Sequence, residues 1–219
     1  FEYLNFNTAK YKEMEALQEE LQRISGDKKS EKAIKEKMQH INDEVKEYKL
    51  TFIEENPETF IASFFRAMQD IEVPEAPVLE NGKEDSTFAY RYYKNHYWDN
   101  FDLTDDRLLR TPLFQSKLET YLNKVLVQNP DSLSKGIDAV IEKAEPNEIV
   151  YKYLVQSITY EYETSTIMGF DAVFVHMAET YYMQDRTPWV NPTVKENITK
   201  RAKKLKPILA VIGGFMASR

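Results

Sequence analysis

Apolar residues recur at alternating steps of three and four in the amino-terminal part of this chain, and that spacing leaves little choice of fold. Met14, Leu17, Leu21 and Ile24 follow one another at 3, 4 and 3. Ile34, Met38, Ile41, Val45, Tyr48 and Phe52 follow at 4, 3, 4, 3 and 4. Glu and Lys fill most of the other positions, so each run carries one narrow apolar stripe, the seam of an antiparallel coiled coil. Ser25-Gly26-Asp27 separates the runs. Gly26 suits the left-handed residue that ends a helix, and Asp27 suits the cap that starts the next. The spacing predicts a long helical hairpin.

Prolines mark further helix starts. Asn56-Pro57, Thr111-Pro112, Asn129-Pro130 and Asn191-Pro192 each place a capping side chain before a proline, whose missing N–H costs nothing at the first helical position. Glu145-Pro146 has the same shape without the preferred cap. Helical spacing follows in Leu113, Leu118, Tyr121, Leu122 and Val125, then in Leu133, Ile137, Val140, Ile141 and Ala144. It continues in Ile149, Tyr153 and Tyr160, and after Gly169 in Phe170, Val173, Met177 and Tyr181. No segment sustains the alternation of a strand.

The expected fold is therefore all-α: a long antiparallel helical hairpin, then a multi-helix bundle or a stack of helical hairpins. Pro74, Pro77 and Asn81-Gly82 break the pattern and read as a linker. The expected division is a hairpin and following helix over 1–70, a linker over 71–87, a helical domain over 88–207 and an apolar tail over 208–219. Pro112 and Pro146 lie 34 residues apart, the length of a tetratricopeptide repeat, but the signature residues of that repeat are absent. Stacked helical hairpins generally bind partners.

Composition narrows the chemistry. Thirty-six acidic residues against 29 basic ones give a net charge of −7, which argues against nucleic acid as a partner. No apolar run is long enough to span a bilayer. The chain has no cysteine, which excludes disulfides, thiolate catalysis and thiolate metal sites. There is no Gly-rich phosphate loop and no nucleophile elbow, so no cofactor and no enzymatic activity are expected.

Four features of the sequence could form sites. The run Trp98 to Asp106 gathers carboxylates, but Phe101 and Leu103 interrupt it and it lacks the glycine of a calcium loop. A helix start with Thr104 as cap and Asp105 and Asp106 in the first turn explains it better. His176 and Glu179 lie one helical turn apart, yet zinc needs at least three protein ligands and the chain holds only three histidines. A satisfied core histidine is the simpler reading. Lys195 to Lys206 is strongly basic and reads as a solvated helical face. Among 14 Tyr, 12 Phe and 2 Trp, most rings fall at helical spacing and read as packing. Tyr92, Trp98, Tyr182 and Trp189 fall outside it and are the expected partner or ligand surface, a platform for a glycan or a peptide.

Three stretches carry a family resemblance: Tyr92-Tyr93-Lys94-Asn95-His96-Tyr97-Trp98-Asp99-Asn100-Phe101-Asp102, Leu108-Leu109-Arg110-Thr111-Pro112-Leu113, and Val173-Phe174-Val175-His176-Met177-Ala178-Glu179. The chain resembles, over roughly Tyr3 to Pro207, a helical domain of unknown function from Bacteroidetes. That domain precedes a thioredoxin-like domain in secreted or periplasmic thiol-disulfide oxidoreductase-type (redoxin) proteins. The resemblance implies a periplasmic or envelope location and an accessory role, with redox chemistry belonging to the adjacent domain and its cysteines. The expected partners are a protein or that thioredoxin-like domain. A departure follows Lys206-Pro207: in place of a Gly-Lys-x-Ala-Pro entry into a redoxin strand, the chain reads Ile208-Leu209-Ala210-Val211-Ile212-Gly213-Gly214. This apolar tail is expected to pack on the helices or to mediate self-association.

Overall fold

The computed structural model describes residues 2–24 and 27–216, with backbone alone for 2 and 210–216. Gly26 and the packing of the apolar tail beyond Leu209 lie outside the described residues. The described residues form helices, turns and loops, with one isolated antiparallel bridge between Val78 and Glu84 and no strand. The chain divides into two compact units, residues 1–66 and 67–219.

The first unit is the expected hairpin and a short third helix. Helix α1 spans Glu2–Arg23, α2 Lys28–Glu55 and α3 Phe60–Ala67. The pairing is antiparallel: Tyr3 and Phe6 meet the Tyr48 ring at 5.9 and 4.4 Å, while Lys10, further along α1, bridges Glu44, earlier in α2, at 2.8 Å. Asp27 caps α2 by accepting from the Lys29 N–H at 3.2 Å and the Ser30 hydroxyl at 2.5 Å. Ile34 and Ile41 are buried, while Met38, Val45 and Tyr48 are half-buried, because two helices alone cannot enclose a seam. Phe65 of α3 covers part of it, with ring contacts to Tyr3 at 4.7 Å and Phe52 at 5.6 Å.

Asn56 differs from expectation. It ends α2, its side-chain and backbone N–H both donating to the Phe52 carbonyl, and Pro57 lies in the turn that follows. Thr59 caps α3 instead, accepting from the Ala62 N–H at 3.2 Å. The unsatisfied carbonyl at the end of α2 captured the asparagine before a new helix could use it.

In the second unit, residues 68–87 carry no helix. Leu79 donates to Lys83 at 2.8 Å across a turn whose Gly82 has φ +77°, and Asp85 donates to Pro77 at 3.0 Å, closing the expected linker into a hydrogen-bonded loop. Helix α4 (Phe88–His96) leads to a 3-10 turn (Asp106–Arg110) and α5 (Pro112–Thr120), which runs into a π-helical turn (Tyr121–Val125). Then come α6 (Pro130–Ala144), α7 (Glu148–Thr164) and α8 (Asp171–Met177) with a second π-helical turn (Ala178–Tyr182), and finally α9 (Pro192–Met216). α8 is the central element, packing on α6, α7 and α9. Leu133, Ile137, Leu154, Ile158, Val173 and Met177 are fully buried among these helices.

Pro112, Pro130 and Pro192 begin helices as expected. Asn129 and Asn191 accept from Ser132 and Thr193 N–H groups at 2.9 and 2.8 Å. Pro146 does not begin α7. Asn147 caps that helix, accepting from the Ile149 and Val150 N–H groups, so the proline sits one step outside. The expected apolar stripe of α7 is corrected as well. Ile149 and Tyr160 are 57% and 68% exposed, and the buried face runs through Val150, Tyr151, Leu154, Val155, Ile158 and Tyr162. The contacts of α7 with both α6 and α8 set the buried face on this line.

Candidate functional site

Helical spacing builds a groove on the second unit. Gln115, Glu119 and Asn123 recur every four residues along α5 and its π-helical turn, so they share one face. Tyr153, Ser157, Tyr160, Glu161 and Thr164, related by steps of three and four, share one face of α7. The two faces oppose each other across a groove of about 650 Å³, floored by buried Leu118 and ended by Ser165, Thr166 and Ile167.

The walls are pinned together. The Phe114 and Tyr153 rings meet edge to face at 5.5 Å. The Tyr153 hydroxyl donates to the Gln115 side-chain carbonyl, and the Gln115 amide donates to Glu119 at 2.7 Å. Ser157 and Thr164 donate their hydroxyls back to the Tyr153 and Tyr160 carbonyls, at 2.6 and 2.8 Å, so their oxygens keep the capacity to accept. Burial pushes the Tyr153 hydroxyl upward in pKa, and the charge of Glu119 adds to it.

The charge of the groove is one-sided. Its lining holds Glu119 and Glu161 and no Lys or Arg. Although Glu161 is exposed as a whole residue, loss of water around its carboxyl raises its pKa, and the neighbouring Glu119 charge raises it further.

The residues expected from sequence to form a platform lie elsewhere. Tyr92 is half-buried and stacks on His96 at 4.1 Å. Trp98 is buried against Tyr97, Phe101 and Tyr121 at 5.1, 5.6 and 5.2 Å. Tyr182 is buried in the core. Trp189 is half-buried, edge-on to Tyr151 at 5.6 Å with the Lys152 ammonium 5.3 Å from its ring centre. Among the described residues no ring contact joins any two of the four, and none lines the groove. Gln115, Glu119, Asn123 and Glu161 escaped sequence reading because polar residues spaced by four flank every amphipathic helix; only the facing helix singles them out.

The other sequence features have structural explanations. His176 pairs with Asp138 of α6 rather than with Glu179, which pairs with Lys206. The Asp138 carboxylate also accepts from the Tyr181 hydroxyl at 2.8 Å. Asp105, not Thr104, caps the 3-10 turn by accepting from the Arg107 N–H at 3.1 Å, while Asp102 accepts from Thr104. Asp105 wins because its carboxylate also holds the Arg107 guanidinium. Among the described residues no group of three or more His, Asp or Glu side chains is placed to hold a metal. In the basic run of α9, Lys195, Arg201 and Lys206 pair with Asp185, Glu163 and Glu179 of neighbouring elements, and Lys200 with Glu196 of its own helix. Among the described residues no helix is long and apolar enough to cross a membrane.

These features define an all-α protein of packed helical hairpins with an open polar groove on its second unit. The chain belongs to the family described as Domain of unknown function (DUF5106), whose profile matches residues 26–206. Comparisons with curated proteins and with solved structures find no match.

Proposed function

We propose that this chain is a non-catalytic interaction domain, accessory to a thioredoxin-like domain in an envelope redoxin-type protein, and that it holds an extended protein segment in the groove between α5 and α7. The carrying observation is the groove's construction. It is open to solvent and lined by side-chain amides, hydroxyls and the Tyr153 and Tyr160 rings, groups that hold a chain by hydrogen bonds and ring contact. The envelope setting and the adjacent redox domain rest on the three stretches of family resemblance.

The test is a titration of the isotopically labelled chain with a panel of unstructured peptides and oligosaccharides, followed by NMR. Peptide-induced shifts at Gln115, Tyr153 and Tyr160 support the proposal, and a groove that responds to no peptide overturns it. Turnover in an insulin-reduction assay by the chain alone overturns its non-catalytic part. A second reading, glycan binding, draws on the same tyrosines, since ring faces and amide donors also suit sugars. Shifts with oligosaccharides alone would select it.

A further inference from the structure

We infer that the groove between α5 and α7 selects a peptide segment carrying a basic side chain, whose cationic head lies between Glu119 and Glu161. This rests on the interaction-domain reading and names the chemistry of its partner.

The acidic residues of α7 differ in their partners. On α7 itself, Glu148 pairs with Lys152 at 2.6 Å and Glu163 with Arg201 at 3.1 Å. On neighbouring elements Glu145 pairs with Arg186 and Glu179 with Lys206. Glu161, between Glu148 and Glu163 on α7, and Glu119 on α5 form no ion pair among the described residues, and the surface they share contains no cation. Two anions lining one groove repel each other, and a cation entering from outside removes that repulsion.

The surrounding groups suit such a cation. A Lys or Arg head needs hydrogen-bond acceptors, which the two carboxylates supply. Tyr153 and Tyr160 line the same wall, and a guanidinium or ammonium lying over either ring gains further attraction. Ile167, 58% exposed at the groove's end, offers contact to the aliphatic stem or to an adjacent apolar side chain. A glycan would use the rings and amides and leave both carboxylates uncompensated.

The probe is the peptide acetyl-Ser-Leu-Arg-Gly-Ser-amide, compared with its counterpart carrying Gln in place of Arg, each titrated into the full labelled chain. The Arg peptide is expected to shift the resonances of Tyr153, Tyr160 and Glu161, to bind about tenfold more weakly to the Glu119→Gln/Glu161→Gln double variant, and to weaken with added salt. Circular dichroism and a urea midpoint no lower than wild type establish that the variant is folded. Equal binding of the Arg and Gln peptides overturns the inference and leaves the interaction-domain reading standing. Groove shifts with neither peptide, whether or not an oligosaccharide produces them, overturn both. Undiminished Arg-peptide binding to the double variant overturns the placement between the two glutamates.

Discussion

The His176 Nε2 atom lies 2.9 Å from both carboxylate oxygens of Asp138, a residue 38 positions earlier in the chain. With the Tyr181 hydroxyl donating to the same carboxylate, this bond ties α6 to α8 and its π-helical turn at the edge of the core. Replacing Asp138 with Ala removes the acceptor that both groups use. The expected loss is about 2–3 kcal/mol, since Asp138 and His176 keep partial access to water but the fully buried Tyr181 hydroxyl is left without its acceptor. Both tryptophans lie in the second unit, so their fluorescence during urea unfolding reads that unit directly.

The same carboxylate carries a pH signature. Burial works to raise the Asp138 pKa, but the hydrogen bonds from His176 and Tyr181 outweigh it and hold the group below its ordinary value. A carboxyl whose pKa is lower folded than unfolded contributes stability that is complete above the unfolded value, about 4, and lost as pH falls through the folded value. Wild type is therefore expected to lose urea resistance more steeply than Asp138→Asn between about pH 5 and pH 2. Parallel curves for the two proteins would contradict this linkage.

Glu161 has the opposite sign. Its raised pKa means that ionisation disfavours the folded state, so its contribution falls as pH rises above the unfolded value. Glu161→Gln is expected to raise the urea midpoint at neutral pH and to leave it unchanged in acid. A lower midpoint at neutral pH would mean that the carboxylate stabilises the groove.

Gly136 sits against buried Leu126. A Cβ at this position would meet both Leu126 methyl carbons at 2.5 Å. Alanine improves helix propensity by about 1 kcal/mol, but overpacking a closed core costs about 1–3 kcal/mol. The expected result of Gly136→Ala is a net loss of about 1 kcal/mol, and the double variant Gly136→Ala/Leu126→Ala should lose less than the two single changes combined. Additive losses would show that the contact is relieved elsewhere.

Asn147 has two tasks. Its carbonyl oxygen caps α7 through the Ile149 and Val150 N–H groups, and its amide donates to the Thr104 carbonyl at 2.7 Å. Asn147→Ala is expected to cost about 2 kcal/mol, at the upper end for a cap. Asn147→Asp keeps the cap and loses the amide donor, so its midpoint should fall between the two. If Asp matches Ala, the bond to Thr104 is the dominant contribution.

Which parts of this molecule were legible in its residues follows from the range of the forces involved. Helix hydrogen bonds span four residues, so local spacing was enough for the hairpin of α1 and α2, the cap at Asp27 and the starts at Pro112, Pro130 and Pro192. Burial is decided by neighbours distant in sequence. That is why α7 turned Tyr160 outward, why Trp98 and Tyr182 went into the core, and why His176 found Asp138 instead of the nearby Glu179. The pairing of Glu119 with Glu161 across the groove is of the same kind: each lies at an ordinary polar position of its own helix. Only the packing of α5 against α7, pinned by Phe114 and Tyr153, brings the two charges to one surface.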